Sequence, residues 1–268
     1  MTRSLESAAE AVQPAGLAFA LAAAALLAAG GARAQEGGRE LPFGPGEQCV
    51  YRGSTRLGRI GTGTMAVEGG EAVNGRRTYL LRFDFSGRFG PARVEDRTRS
   101  WFDPAELASY RYTKSERSPL ASRSQDVRMD PGARRWQAAG GQGGAMPTAA
   151  PLDELSFIYF IRTLRLAAGD AYTLDRHYEA GRNPVVVRVV GRGQTRVPAG
   201  TFQTVEVEMR VKDPAHYRGD GVVRLHFTDD GRRVPVRIES SMPVGGRMVL
   251  SLESGSNGCD AARLARAD

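Results

Sequence analysis

Along most of the chain, apolar and polar positions alternate with a period of two. Between Thr201 and Val211, Val205, Val207, Met209 and Val211 alternate with Thr204, Glu206, Glu208 and Arg210. Successive strand residues face opposite sides, so this pattern predicts a strand with one oily and one wet face. Tyr79, Leu81, Phe83 and Phe85 alternate in the same way with Leu80, Arg82, Asp84 and Ser86, and Val234, Val236 and Ile238 with Arg233, Arg237 and Glu239. Turn signals separate the runs at short intervals: Gly69-Gly70, Asn74-Gly75, Asp103-Pro104, Asp130-Pro131-Gly132, Pro198-Ala199-Gly200, Asp230-Gly231 and Gly245-Gly246. Proline fixes one backbone angle and glycine admits positive φ, so these are the places where strands reverse. The expected fold is all-β and mainly antiparallel: about a dozen meandering strands in a curved sheet, a half-barrel or an open barrel, with no βαβ rhythm.

One segment departs from this period. Residues 151–166 open with Pro151 and the acids Asp153 and Glu154, close on Arg162 and Arg165, and stop before Gly169. That order suits both ends of a helix dipole. Phe157, Ile158, Tyr159, Phe160 and Ile161 leave it apolar on nearly every side, so the helix is expected in the concavity of the sheet. The glycine-rich stretch 138–150 before it reads as a mobile loop. The β-rich domain is placed at 41–258, with 35–40 as a short leader and 259–268 as a tail.

The first 34 residues read as a signal peptide. An apolar run from Leu17 to Ala29 is broken by Gly30-Gly31 and followed by the small-x-small triplet Ala32-Arg33-Ala34, which predicts cleavage between Ala34 and Gln35. The run falls short of the roughly 20 residues of a membrane span. Glu6 and Glu10 dilute the positive n-region, and an uncleaved anchor is the alternative. No cysteine follows the apolar run, so no lipid anchor is expected. The mature protein is expected in the periplasm or secreted, with no integral span.

Charge narrows the choice of partner. The chain carries formal charge +7, and 35 of its 37 basic residues are arginines. Outside the cytoplasm such a surface favours anionic headgroups or acidic glycans. Nucleic acid is not expected, because the arginines are scattered and form no basic run or binding motif. Cys49 and Cys259 are an even pair in an oxidising compartment and are expected to form a disulfide joining the two ends of the domain.

An ordered set of landmarks resembles a known family. Pro45-Gly46-Glu47 with Tyr51 is followed by Leu155-Ser156, Tyr159, Arg162 and Gly169-Asp170. Val197-Pro198-Ala199-Gly200-Thr201-Phe202 and then Thr228-Asp229-Asp230-Gly231-Arg232-Arg233-Val234-Pro235-Val236 complete the set. Together they are similar to the bacterial envelope family of unknown function DUF3108, over nearly the whole mature chain. The resemblance implies export and a β-rich fold, and it implies no activity, ligand or cofactor. It also suggests a shape like that of the half-barrels that carry lipoproteins and lipids across the periplasm.

Each landmark also has a simpler structural role. The proline–glycine and Asp229-Asp230-Gly231 segments serve as tight turns, Phe157, Tyr159 and Phe160 as core, and Arg162 as a partner for an acid or for carbonyls at its helix end. The ligand-facing candidates are nevertheless Phe157, Tyr159, Phe160, Arg162 and Asp229. Catalytic motifs are not found. His177, His216 and His226 lack zinc-ligand spacing, and Ser254-Gly255-Ser256-Asn257-Gly258 lacks the elbow of a serine hydrolase. Gly61-Thr62-Gly63-Thr64-Met65-Ala66 fits a dinucleotide fingerprint in spelling, but it lies in an alternating strand with no helix to receive a phosphate. No metal or cofactor is expected.

Three functions follow from this reading. The first is a non-catalytic module binding a lipid-like or hydrophobic anionic envelope ligand. The second is a structural or interaction protein with a packed interior. The third is a hydrolase of envelope polymers. Nothing in the sequence sets an oligomeric state.

Overall fold

The structure, a computed structural model, describes residues 40–118, 122–213, 220–242, 246–260 and 264. The expected signal peptide, the Ala34–Gln35 cleavage site, nearly all of the leader and His216 lie outside the described residues.

The alternating runs form strands as expected. The first arm of the sheet comprises β1 (Gln48–Thr55), β2 (Gly58–Val73), β3 (Arg76–Phe89), β4 (Ala92–Asp103), β5 (Ala108–Arg117), β6 (Ser122–Asp130), β7 (Arg135–Ala138) and β8 (Gly143–Ala145). A helix, α1 (Glu154–Ile161), follows. The second arm comprises β9 (Ala171–Leu174), β10 (Val185–Val197), β11 (Gly200–Lys212), β12 (Asp220–Thr228), β13 (Pro235–Met242) and β14 (Gly246–Ser256).

All fourteen strands belong to one sheet, in the order β8-β7-β6-β5-β4-β3-β2-β1-β14-β13-β12-β11-β10-β9. Every pairing between them is antiparallel. The sheet is open, ending at β8 and β9. Each pairing joins strands adjacent in sequence except β1 with β14, which bring the two arms together in the middle. The chain crosses from one edge to the other through α1, and for that reason the helix lies over the inner face.

The inner face is apolar and curled. One buried cluster contains Val67 of β2, Leu81 and Phe85 of β3, Phe102 of β4, Val187 of β10, Val207 of β11 and Leu252 of β14, together with Phe157, Tyr159 and Phe160 of α1. Strands lie about 4.8 Å apart, so residues this distant in the sheet share one core only because the sheet wraps round the helix. A second cluster, Tyr112, Val127, Met129, Met146 and Tyr178, lies under β5 and β6.

Several expected boundaries change. The helix is eight residues, not the stretch 151–166. Pro151 is not its first residue but belongs to an extended segment whose carbonyl accepts from Ser109 N–H at 2.8 Å, and the chain beyond Ile161 turns to carry Arg162 to its partners. The glycine-rich stretch 138–150 contains β8, which pairs with β7. Glycine is needed there because a Cβ on Gly143 would lie 2.8 Å from the Trp136 carbonyl and one on Gly144 3.1 Å from its indole nitrogen. Leu264, in the expected tail, is buried in the main core. The fingerprint-like Gly61 faces Gly87 across β2 and β3. A Cβ on Gly61 would meet Ser86 O at 2.4 Å, so strand packing and not phosphate contact calls for glycine.

Candidate functional site

The two ends of α1 concentrate the buried polar groups. At the amino end, Asp153 is the N-cap: its Oδ1 accepts from Leu155 N–H at 3.0 Å and Ser156 N–H at 2.9 Å. Ser156 Oγ accepts in return from Asp153 N–H at 2.8 Å, completing a capping box. Ser100 on β4 donates to the other oxygen of Asp153 at 2.6 Å, and Ser109 on β5 donates to Ser156 Oγ at 2.9 Å. Burial pushes the Asp153 carboxyl up to about 6.

Beside this cap, Glu154 accepts from Arg182 at 3.0 Å. His177 Nδ1 accepts from Glu179 N–H at 3.0 Å, and burial pushes its pKa down to about 4. The ring is therefore neutral at pH 7, with its proton on Nε2. His177 Nε2, the Tyr112 hydroxyl and Glu154 Oε2 are buried without completing a hydrogen bond among the described residues, a situation ordinarily relieved by ordered water.

At the carboxyl end, Arg162 is 1% exposed and Glu47 4%. The guanidinium meets the carboxylate through two contacts, Nη1 to Oε1 at 2.6 Å and Nη2 to Oε2 at 2.8 Å. It also donates to Pro42 O at 2.8 Å and Arg232 O at 3.0 Å, and it lies 5.1 Å from the Phe43 ring centre and 5.5 Å from that of Tyr159. A buried charge requires this degree of pairing. The helix-end carbonyls are capped by a different arginine: Arg233 donates to Arg162 O at 2.9 Å and also to Leu164 O.

The structure places the sequence-derived candidates in different surroundings. Phe157 stacks near His177, with ring centres 6.3 Å apart. Tyr159 meets Phe43 edge-on at 5.0 Å. Phe160 lies under the Arg176 guanidinium at 4.3 Å. Asp229 is on the rim, accepting from Arg192 Nε at 2.7 Å, and Arg192 also reaches Leu166 O just past the helix. Asp230 makes the turn, accepting from Arg232 N–H and Arg233 N–H at 3.0 and 2.9 Å.

Sequence reasoning missed Glu47 as the partner of Arg162. The available signal was an acid after Pro45-Gly46 and an arginine on an otherwise apolar helix. Cys49 and Cys259 are joined by a disulfide, with Cα atoms 5.3 Å apart. Their sulfurs gather with a Glu47 oxygen, but the disulfide and the Arg162 pairing leave that cluster no metal-ligand capacity. Two open recesses lie on the surface. One of about 290 Å³ is lined by Ser86, Gly87, Arg88, Arg93 and Glu95. One of about 200 Å³ lies over Arg162, lined also by Pro42, Gly231 and Arg233. No helix among the described residues is long and apolar enough to cross a membrane.

The fold is similar to that of a β-barrel-like protein of domain of unknown function DUF1849 from Brucella abortus. The two are 11% identical, with a TM-score of 0.51, over 77% of this chain and 95% of that one. A protein from Bacteroides fragilis, provisionally described as exported and with a YmcC-like fold, is more distant. It is 12% identical, with a TM-score of 0.32, over 81% of this chain and 98% of that one. Among curated proteins none matches the chain. The landmarks that meet around α1, namely Glu47, Arg162 and the Thr228 to Val236 turn, fall within or beside a match over residues 50–252 to the family described as Protein of unknown function (DUF3108); the chain belongs to that family.

Proposed function

We propose that this is an exported envelope protein without a catalytic role, a structural or interaction protein that works through its surface. The observation that carries this reading is the occupied interior. The helix that could have served as the lid of a carrier is buried along Leu155, Phe157, Tyr159, Phe160 and Ile161, and its terminal arginine is tied to two separate segments, the stretch before β1 through Pro42 and Glu47 and the β12–β13 turn through Arg232. A pocket for a lipid-like ligand is mostly apolar and about 300–1,000 Å³ in volume. The two surface recesses are open and lined largely by polar residues. Export is supported by the amino-terminal sequence and by the disulfide, which is kept in oxidising compartments.

The test sets a plug against a lid, using Phe160→Ala. A plug predicts a loss of about 3–5 kcal/mol in urea unfolding, no uptake of a fluorescent fatty acid by either protein, and a lipid-free mass for protein purified from its own envelope. Uptake by the wild type, or a co-purifying lipid mass, would restore the lipid-binding module with Phe157, Tyr159, Phe160 and Arg162 facing the ligand.

A further inference from the structure

The hairpin turns joining β1 to β2 and β3 to β4 lie side by side, because β2 pairs with β3 up to Gly61 opposite Gly87. They are at the end of the sheet away from the disulfide. Arg56, Arg59, Arg88 and Arg93 are all exposed there. Arg59 reaches Glu253 only at 3.5 Å, and among the described residues Arg56, Arg88 and Arg93 have no carboxylate within ion-pair distance. Arg88 and Arg93 stand directly opposite each other across β3 and β4, an arrangement that destabilises a ladder unless an anion lies between the charges. Both line the 290 Å³ recess together with Ser86, Gly87 and Glu95, and among the described residues the Glu95 carboxylate forms no ion pair with either guanidinium, so the pair of positive charges stays uncompensated. A turn ordinarily carries small polar residues, yet the tip next to Arg56 is Leu57, 74% exposed.

We infer that this end of the sheet docks on an anionic phospholipid bilayer, with the Arg88–Arg93 recess receiving a headgroup phosphate and Leu57 entering the headgroup layer. Opposite charge accounts for the arginines, and it would serve any polyanion. The leucine selects a bilayer, since an apolar tip between arginines gains only where an apolar layer lies beneath the charge. This deepens the proposed surface role and rests on it.

The test is co-sedimentation of the purified protein with vesicles of phosphatidylcholine alone and of phosphatidylcholine and phosphatidylglycerol in equal parts. Binding is expected only to the second, and salt should weaken it. Arg88→Glu with Arg93→Glu should weaken it by about tenfold or more, as each arginine near such a surface contributes about one kcal/mol. Leu57→Asn should weaken it by roughly tenfold while leaving retention on a heparin column unchanged. The urea midpoint of each variant should match the wild type, since the altered side chains are exposed. Equal binding to both vesicles, wild-type binding by the double variant, or wild-type binding by Leu57→Asn each overturns the inference; the last result would indicate a soluble polyanion or an acidic protein face. None of these results alters fatty-acid uptake or the cost of Phe160→Ala, so the filled interior stands or falls separately.

Discussion

Glu47 at the threshold of the first strand and Arg162 at the end of α1 lie 115 positions apart, yet they close on each other through two parallel hydrogen bonds. Removing one partner strands the other charge in the core. Glu47→Leu and Arg162→Met should each cost about 3–5 kcal/mol, and the double variant carrying both well under their sum. Urea unfolding of the four proteins checks this. Additive losses would mean that the two side chains are not energetically coupled.

The cap of α1 should make stability depend on pH in an unusual direction. The folded Asp153 carboxyl, near 6, lies above the ordinary value of about 3.9, so the folded state takes up the proton first. The resulting stabilisation is complete below about pH 4 and is lost as pH rises through about 6. Asparagine also caps helices and cannot titrate. Relative to Asp153→Asn, the wild type should therefore lose about 2–3 kcal/mol between pH 4 and pH 7. A difference that stays flat across that window would refute the assignment.

The disulfide spans a sequence separation of 210 residues, so in the chain-entropy account it contributes about 5 kcal/mol by restricting the unfolded chain. Unfolded, unreduced protein should contain no free thiol, and adding a reductant should lower the urea midpoint substantially. Detection of two thiols per chain would contradict the pairing.

Gly87→Ala should weaken the crossing of β2 and β3. Its Cβ would lie 2.2 Å from the Ile60 carbonyl oxygen, a backbone atom that cannot swing aside, so a loss of about 1–3 kcal/mol is expected. Gly75→Ala has open space around it and carries only the strain of positive φ, so it should cost less. Thermal melts of the two variants distinguish them.

Most of the sheet was legible because strand residues report their face locally. Val205, Val207 and Met209 alternate with polar neighbours, and all three are buried. The open sheet and the apolar helix against it follow from the same reading. Where side chains vanish, the signal vanishes with them: β8 is Gly143-Gly144-Ala145 and offers no alternation to read. Pro151 misled in a different way. A proline can begin a helix or an extended segment, and the choice was made by a hydrogen bond from Ser109 on β5. The partners of Arg162 come from two distant stretches, residues 42–47 and the turn at Arg232, and no local pattern couples them.

The seam between β1 and β14 also sets an order of assembly. Ser54 finds its neighbour Val249 only after 195 further residues exist, whereas every other pairing joins strands that are consecutive in the chain. A chain emerging amino-terminus first therefore carries an unpaired β1 edge until its last strand arrives. During that interval the middle of the finished sheet is an adhesive margin, open to any passing strand. The step that most needs protection by a chaperone is thus the final one, when two finished arms meet.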